Sequence, residues 1–357
     1  MNHLEKISVC LDKGQLDALI ITSEPGEYYA VGMKGEGLVL VTRERNCYFT
    51  DSRYIELAEQ TVANAAITMT TPERSQLVLA KEVLSDCGLR RIGIEEQYLT
   101  LEQYRKMEQL FSDAVTFVPA SELLTELRGA KDAEELALMR KAQAITDQVF
   151  LEILNNLKPG VTERQIAARI TYLQMQYGAE KNSFDPIVAS SYRGSMPHAI
   201  PDDKPIQSGE FVTMDFGCIY QGYCSDMTRT VAVGQPTDEM RQVYDAVLQA
   251  QLAGIAQAKA GVPGCDIHNA AWQVLEDAGY GDYFGHGFGH GLGLEIHEKP
   301  NANRSNREPL PVGAVISAEP GVYLPGKFGV RIEDVLWLTK EGNVNLTQSP
   351  KELIVLE

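Results

Sequence analysis

Residues 211–233, FVTMDFGCIYQGYCSDMTRTVAV, read as a β-hairpin turning at residues 220–221 or at 221–222. The first register sets Asp215 directly opposite Asp226, and the second makes them diagonal neighbours. Either way both carboxylates share one face of the hairpin. Facing carboxylates repel unless a proton or a cation lies between them. Aspartate is depleted inside strands, so a pair at this register favours a metal over ordinary turn-flanking residues.

Four of the six histidines, His198, His286, His290 and His297, lie close to glycine or proline outside any regular helical pattern. His3 in the terminal segment and His268 near the start of an amphipathic helix read as solvated or capping residues. The run 285–298, GHGFGHGLGLEIHE, alternates glycine with larger residues. If extended, it puts His286 and His290 on one side and nearly bare backbone on the other, where a ligand or another chain segment approaches closely. Neither an HExxH helix nor a phosphate-binding glycine loop is present in this run.

The last third of the chain supplies two more carboxylates. Glu319 ends a strand run at 314–319, immediately before a Pro-Gly turn. In GVRIEDVLWL, residues 329–338, period-two alternation groups Arg331 and Glu333 with Val335 and Trp337. Charges among such apolar neighbours need partners. Either Arg331 and Glu333 pair with each other, or Glu333 binds metal beside an anion-reading arginine. Collected, Asp215, Asp226, His290, Glu319 and Glu333 are four carboxylates and one imidazole, a charge that two divalent cations offset fully and one offsets halfway. An oxygen-rich set with one nitrogen suits Mn²⁺, Co²⁺ or Zn²⁺ better than a metal that prefers thiolates, and Mn²⁺ is the expected ion. Two such ions about 3.5 Å apart activate a shared water and polarise a carbonyl, the arrangement for hydrolysis.

The elements that must carry these residues are legible in outline. From residue 131, apolar residues recur at a helical period behind a capping box of Asp132 and Glu135, and Pro159–Gly160 stops the run. A second helix runs from the Thr162/Gln165 box to Gly178, and two more span 237–260 and 266–278, closed by Gly261 and Gly279. Strand runs at 187–189, 211–220, 223–233, 314–319 and 330–338 make this an α+β domain. Residues 1–120 alternate short strands (17–22, 38–42, 47–50, 91–95) with helices (53–60, 73–87), the punctuation of a small α/β domain. The boundary is placed after residue 122, giving domains 1–122 and 123–357.

Composition narrows the function classes. With 44% hydrophobic and 23% charged residues, the 357-residue chain is neither disordered nor collagen-like. The net charge of −17 is diffuse and leaves no basic stripe, which excludes a nucleic-acid partner. No run approaches the ~20 apolar residues of a membrane span, and the amino terminus lacks a signal-peptide pattern. Six cysteines without a CxxC pair read as reduced, mostly buried thiols. A cytoplasmic soluble protein is the expectation.

The segments MDFGCIYQGYCSDMTRT, GHGFGHGLGLEIHE, ISAEPGVY and GVRIED, with MPHA around His198, occur in an order that resembles the pita-bread metallopeptidases, peptidase family M24. That family includes methionine aminopeptidase, aminopeptidase P and prolidase, and the match covers about residues 125–357. Residues 1–120, including TDSRY at 50–54, resemble the amino-terminal domain of the creatinase, prolidase and aminopeptidase P branches. The whole chain is most similar to bacterial Xaa-Pro peptidases.

The resemblance implies a creatinase-like amino-terminal domain followed by a pita-bread catalytic domain. It implies metal-dependent hydrolysis of Xaa-Pro bonds by a metal-bridging hydroxide, with prolidase activity on dipeptides first and aminopeptidase P activity on longer peptides as the alternative. A creatinase-like C–N hydrolase or a binding protein of the same fold is a further alternative, which the intact five-ligand set disfavours. Asp215, Asp226 and Glu333 would hold one metal, and Asp226, His290, Glu319 and Glu333 the other. Glu319 would shuttle the proton, His198 and His297 would stabilise the tetrahedral intermediate, and Arg331 would orient Glu333 or the substrate. His286 and Tyr323 would shape the proline pocket, and Arg193 or Arg331 would read a free carboxylate. A homodimer is also implied.

Overall fold

Apolar strand runs near both ends of the chain build separate sheets, in two units spanning Met1–Arg128 and Gly129–Glu357. The computed structural model describes residues 1–357, with Asp113 described by its backbone alone.

In the first unit, strands β1 (Ala18–Ile21), β2 (Leu38–Thr42), β3 (Asn46–Thr50), β4 (Ala66–Met69), β5 (Arg91–Ile94) and β6 (Thr116–Pro119) form one sheet. Its order is β4-β3-β2-β1-β5-β6, and β2 is antiparallel to both neighbours while the other pairings are parallel. Helices α1 (His3–Lys13), α2 (Glu24–Val31), α3 (Ile55–Thr61), α4 (Gln76–Asp86), α5 (Leu101–Phe111) and α6 (Ser121–Arg128) connect or flank the strands. Capping boxes on Asn2 and Thr100 start α1 and α5 by satisfying amides that a helix leaves open. The expected boundary after residue 122 cuts α6, so the unit ends later, at Arg128, because Leu124 and Arg128 of this helix are buried.

The second unit begins with α7 (Ala133–Ile153) and α8 (Glu163–Gln176), whose Asp132 and Thr162 capping boxes are those expected from the sequence. Short strand β7 (Lys181–Asn182) pairs with β10, and β8 (Ile187–Ser190) pairs with β9 (Glu210–Asp215). The hairpin forms in the second register. Its base pairs β9 with β12 (Thr228–Val233), Asp215 facing Thr228, and its tip pairs β10 (Cys218–Tyr220) with β11 (Tyr223–Cys224). Phe216 and Met227 exchange backbone hydrogen bonds, and Ser225 donates to Cys218, so Gly217 and Asp226 face each other at the break between the two halves.

Helices α9 (Asp238–Gln257) and α10 (Gly264–Asp277) lead to a sheet ordered β14-β13-β15-β18-β19. Its strands are β13 (Gly289–Gly291), β14 (Glu298–Ala302), β15 (Val315–Ala318), β18 (Asp334–Leu338) and β19 (Asn343–Asn345). Beside it lies a two-stranded ribbon of β16 (Gly321–Leu324) and β17 (Phe328–Arg331), and the last strand, β20 (Val355–Leu356), adds to β12. The single strand expected at 330–338 is therefore two strands. β17 pairs with β16 and β18 with β15 and β19, and the chain passes between sheets at Ile332–Glu333.

Two cores hold this unit. Val212, Met214, Val231 and Val233 pack under α7 and α8, while Phe211 and Ala232 join α9, α10, Ile316 and Leu336. Each of the buried Val, Ile, Leu, Met and Phe side chains among these contributes roughly 1.5–3 kcal/mol. Period-two alternation then sends Thr213, Asp215, Thr228 and Thr230 to the same face of β9 and β12 as Phe211 and Ala232, toward the β17 segment. The chain is thus an α/β unit followed by an α+β unit, the fold class read from the sequence. No helix of the described residues is long and apolar enough to cross a membrane, and all six cysteines are free.

Candidate metal centre

One cleft of about 960 Å³ in the second unit is lined by Asp215, Asp226, His290, Glu319 and Glu333, and also by His198, His286, His297, Tyr323 and Arg331. These ten of the residues singled out in the sequence meet there, from the hairpin, the glycine-rich run, the segments around the β16–β17 ribbon and the loop that carries His198. Phe184, Ile187 and Ile296 add an apolar wall.

His290 shows what the site is built to hold. Its Nδ1 lies 3.1 Å from the Gly291 carbonyl, so Nδ1 carries a hydrogen and Nε2, which offers a lone pair whenever the ring is neutral, points into the cleft. There Nε2 meets Asp226 Oδ2 at 3.4 Å and Glu319 Oε1 at 3.3 Å. Ligand atoms of Asp226, His290 and Glu333 lie within 4.8 Å of one another. Three acceptors converging without a donor require a cation or a proton. Burial opposes charge on the imidazole, but Asp226 and Glu319 outweigh it and push His290 up to about 9. Burial and the neighbouring carboxylates push Asp226 and Glu333 upward.

The carboxylates keep open valences. Asp215 Oδ1, Asp226 Oδ1 and Glu333 Oε1 are buried and accept no hydrogen bond, an expensive state for a charged oxygen unless a ligand completes it. Their other contacts aim them. Asp215 Oδ2 takes Arg331 Nη2 at 2.6 Å, and Glu333 Oε2 takes the Thr228 hydroxyl at 2.8 Å. Ser317 Oγ accepts the His290 amide and donates to Glu319 Oε1, both at 3.0 Å. The backbone N–H of Asp226 faces Gln143 Oε1 at 3.4 Å. The donor set fits hard or borderline divalent metals.

A second chain of contacts borders the centre. Arg331 Nη1 donates to Tyr323 Oη at 2.8 Å, and the tyrosine hydroxyl then donates to His286 Nε2 at 2.9 Å, since His286 Nδ1 is engaged with the Gly287 carbonyl. Burial holds His286 and His297 below the ordinary histidine value, so both stay neutral near pH 7. His297 stands edge-on to His290, with ring centroids 4.4 Å apart.

Three local readings change. Arg331 pairs with Asp215 and Tyr323, not with Glu333, because the strand breaks between them. Arg193 is committed to Glu163 and Asp202 and does not line the cleft. His268 is neither solvated nor a cap: it is buried, stacked on Phe284, and takes a hydrogen bond from Arg304. Thr228, Ser317 and Gln143 were not singled out, although Thr228 and Ser317 stand at period two from Asp226 and Glu319, the available signal.

Within the glycine-rich run, strand forms at β13, which carries an irregularity, and again only at Glu298, where β14 begins. Its glycines are needed for close approach: a Cβ on Gly289 would lie 1.9 Å from the Ser317 carbonyl oxygen. Gly289→Ala is therefore expected to cost about 1–3 kcal/mol through forced separation of β13 and β15. Urea unfolding measures it, and a wild-type midpoint would contradict the steric argument.

Comparison with known proteins agrees with the geometry. Residues 137–340 match metallopeptidase family M24, and residues 3–129 match the creatinase/prolidase N-terminal domain. A Bacillus subtilis protein described as an uncharacterized peptidase is 39% identical, over 99% of both chains. The structure of an Xaa-Pro dipeptidase from Bacillus anthracis superposes with a TM-score of 0.95 at 37% identity, covering 99% of each chain. That of an X-Pro aminopeptidase from Thermotoga maritima gives 0.91 at 34% identity, covering 96% of this chain and 98% of the other. With a creatinase/prolidase-type first domain and a second that gathers four carboxylates and a histidine, the chain belongs to metallopeptidase family M24.

Proposed function

We propose that the protein is an Xaa-Pro dipeptidase in which Asp215, Asp226, His290, Glu319 and Glu333 hold two divalent ions, Mn²⁺ before Co²⁺ or Zn²⁺. The observation that carries this reading is the trio of buried, unpartnered oxygens on Asp215, Asp226 and Glu333 around the His290 lone pair. Likeness to the Bacillus anthracis Xaa-Pro dipeptidase supports the substrate class. Bound there, the ions would polarise the scissile carbonyl and supply a water nucleophile at neutral pH.

The residues divide the remaining work. Glu319 takes the proton of the attacking water and returns it to the departing proline nitrogen. His198 and the neutral His297 donate N–H groups to the developing oxyanion. His286 and Tyr323, locked to each other and to Arg331, form a rigid wall for the proline ring. Arg331 orients Asp215 and, because it lines the cleft while Arg193 does not, it would be the cation to meet a substrate carboxylate. A cytoplasmic homodimer accords with the free thiols and with the family resemblance.

The cleft volume favours a second reading. About 960 Å³ exceeds what a dipeptide fills and stands at the upper end of ligand pockets, which suits aminopeptidase P action on longer peptides, as does the likeness to the Thermotoga maritima enzyme. An assay of Mn²⁺-loaded protein on matched Xaa-Pro and Xaa-Pro-Xaa substrates decides. Cleavage of the dipeptide alone is the expected result, and cleavage of the longer substrate means aminopeptidase P. Chelation should abolish turnover and Mn²⁺ restore it; full activity in verified metal-free protein would overturn the metal reading. Two bound metals without cleavage of either substrate would instead identify a binding protein.

A further inference from the structure

Thr228 is fully buried at the start of β12, directly across the ladder from Asp215. Its hydroxyl lies 3.1 Å from Arg331 Nε and 2.8 Å from Glu333 Oε2. A guanidinium has no acceptor, so Arg331 must donate and the threonine oxygen must accept. The single hydroxyl proton is then directed to Glu333. The same residue also accepts the Glu333 amide through its carbonyl, at 3.0 Å. Glu333 is thereby held at its backbone and at Oε2, while Oε1 stays without a hydrogen-bond partner in the cleft.

Arg331 extends this restraint. Its Nη2 grips Asp215 Oδ2 and its Nη1 grips Tyr323 Oη. One hydroxyl therefore couples the Asp215–Arg331 pair to Glu333, across the break where β17 ends and the chain enters β18. We infer that Thr228 is a positioning residue of the metal centre: it sets the rotamer of Glu333 and the orientation of Arg331 together, so that the open oxygens of Asp215 and Glu333 face one ligand position. This rests on the proposed metal-binding reading. Groups hydrogen-bonded to metal-binding side chains typically change metal affinity 10–100-fold when removed.

The test is calorimetric titration of Mn²⁺ into metal-free full-length wild type, Thr228→Val and Thr228→Ser, with thermal melts of each metal-free protein. Valine keeps the branched shape and loses both side-chain hydrogen bonds; serine keeps the hydroxyl. Mn²⁺ affinity is expected to fall about 10–100-fold in Thr228→Val and to return to near the wild-type value in Thr228→Ser, with kcat falling more than KM rises in the valine variant. Valine binding Mn²⁺ as wild type does, or serine failing like valine, overturns the role of the hydroxyl and leaves the metal reading intact. Wild type binding no Mn²⁺ overturns the metal reading itself. If Thr228→Val does not fold, Thr228→Ala makes the same comparison.

Discussion

Asp226→Asn is expected to lower turnover by at least about 100-fold and to weaken Mn²⁺ binding with it, because it neutralises a carboxylate at the middle of the candidate centre. Asp226 is 4% exposed, its Oδ1 accepts no hydrogen bond and its Oδ2 faces His290. Asparagine has the same shape, so the hairpin should survive. Stability should respond in the opposite sense to activity. Without metal, the substitution removes one of several buried like charges, and the variant should melt no lower than wild type. With metal, wild type gains about 2.7 kcal/mol at a free concentration of 100 times Kd, and the variant should lose most of that gain. Melting curves with and without Mn²⁺ check both signs. An unchanged Mn²⁺-dependent shift would remove Asp226 from the ligand set.

Arg229→Met is expected to be the most damaging substitution away from the cleft. Arg229 alternates with Thr228 and Thr230 along β12, so it faces away from them and is buried. Every donor finds an acceptor. Nε donates to the Pro350 carbonyl, Nη1 to the carbonyls of Thr228 and Glu333, and Nη2 to Asp334 Oδ1 at 2.7 Å and the Ser349 carbonyl. Asp334 is fully buried, with Lys351 and Asn345 on its other oxygen. Breaking a buried ion pair by removing one member costs about 3–5 kcal/mol, a large share of the 5–15 kcal/mol that holds a typical domain. Urea unfolding should show that loss, and a change below about 1 kcal/mol would mean that water or Lys351 replaces the arginine. Replacing all three charges, Arg229→Met and Asp334→Leu with Lys351→Met, should recover part of it, because neither Asp334 nor Lys351 is then left without its partner.

The pH dependence of this pair follows from its burial. Burial works against the Asp334 charge, but Arg229 and Lys351 outweigh it and hold the carboxyl below its usual value. A carboxyl depressed in the folded state contributes stability that is present above the ordinary value near 4 and is lost as the pH falls through the lower folded value. In Arg229→Met this contribution to acid unfolding should shrink.

Particular residues show how far local pattern reaches. Asp215 and Asp226 were legible because a strand places alternate residues on one face in either register. The register itself depends on the turn: Gln221 adopts a φ of 43° and Gly222 one of 78°, which centres the turn on 221–222. Alternation then failed at Ile332–Glu333, where pairing with two different partners breaks the strand. Arg193 and Arg331 looked equivalent as candidate cations, yet the buried Glu163 claims one and the cleft the other. Thr228 and Ser317 are not distinctive in the sequence, because a hydroxyl residue in a strand is ordinary and their roles come from partners elsewhere in the fold. His268 misled because a helix start implies capping only when the side chain faces outward.

By itself, the sequence determined the side-chain types that line the cleft, the capping boxes of α7 and α8, the two-domain order and the face on which each hairpin carboxylate stands. These are local properties, settled by residue type and by periods of 2.0 and 3.6 residues. Tertiary structure alone decided which oxygen of each carboxylate is tied and which is open, which arginine enters the cleft, and where the β17–β18 segment breaks. Those outcomes depend on side-chain and strand partners that are not set by local pattern, some more than a hundred positions apart, such as Asp215 with Arg331 and Thr228 with Glu333, and local periodicity carries no information about such partners.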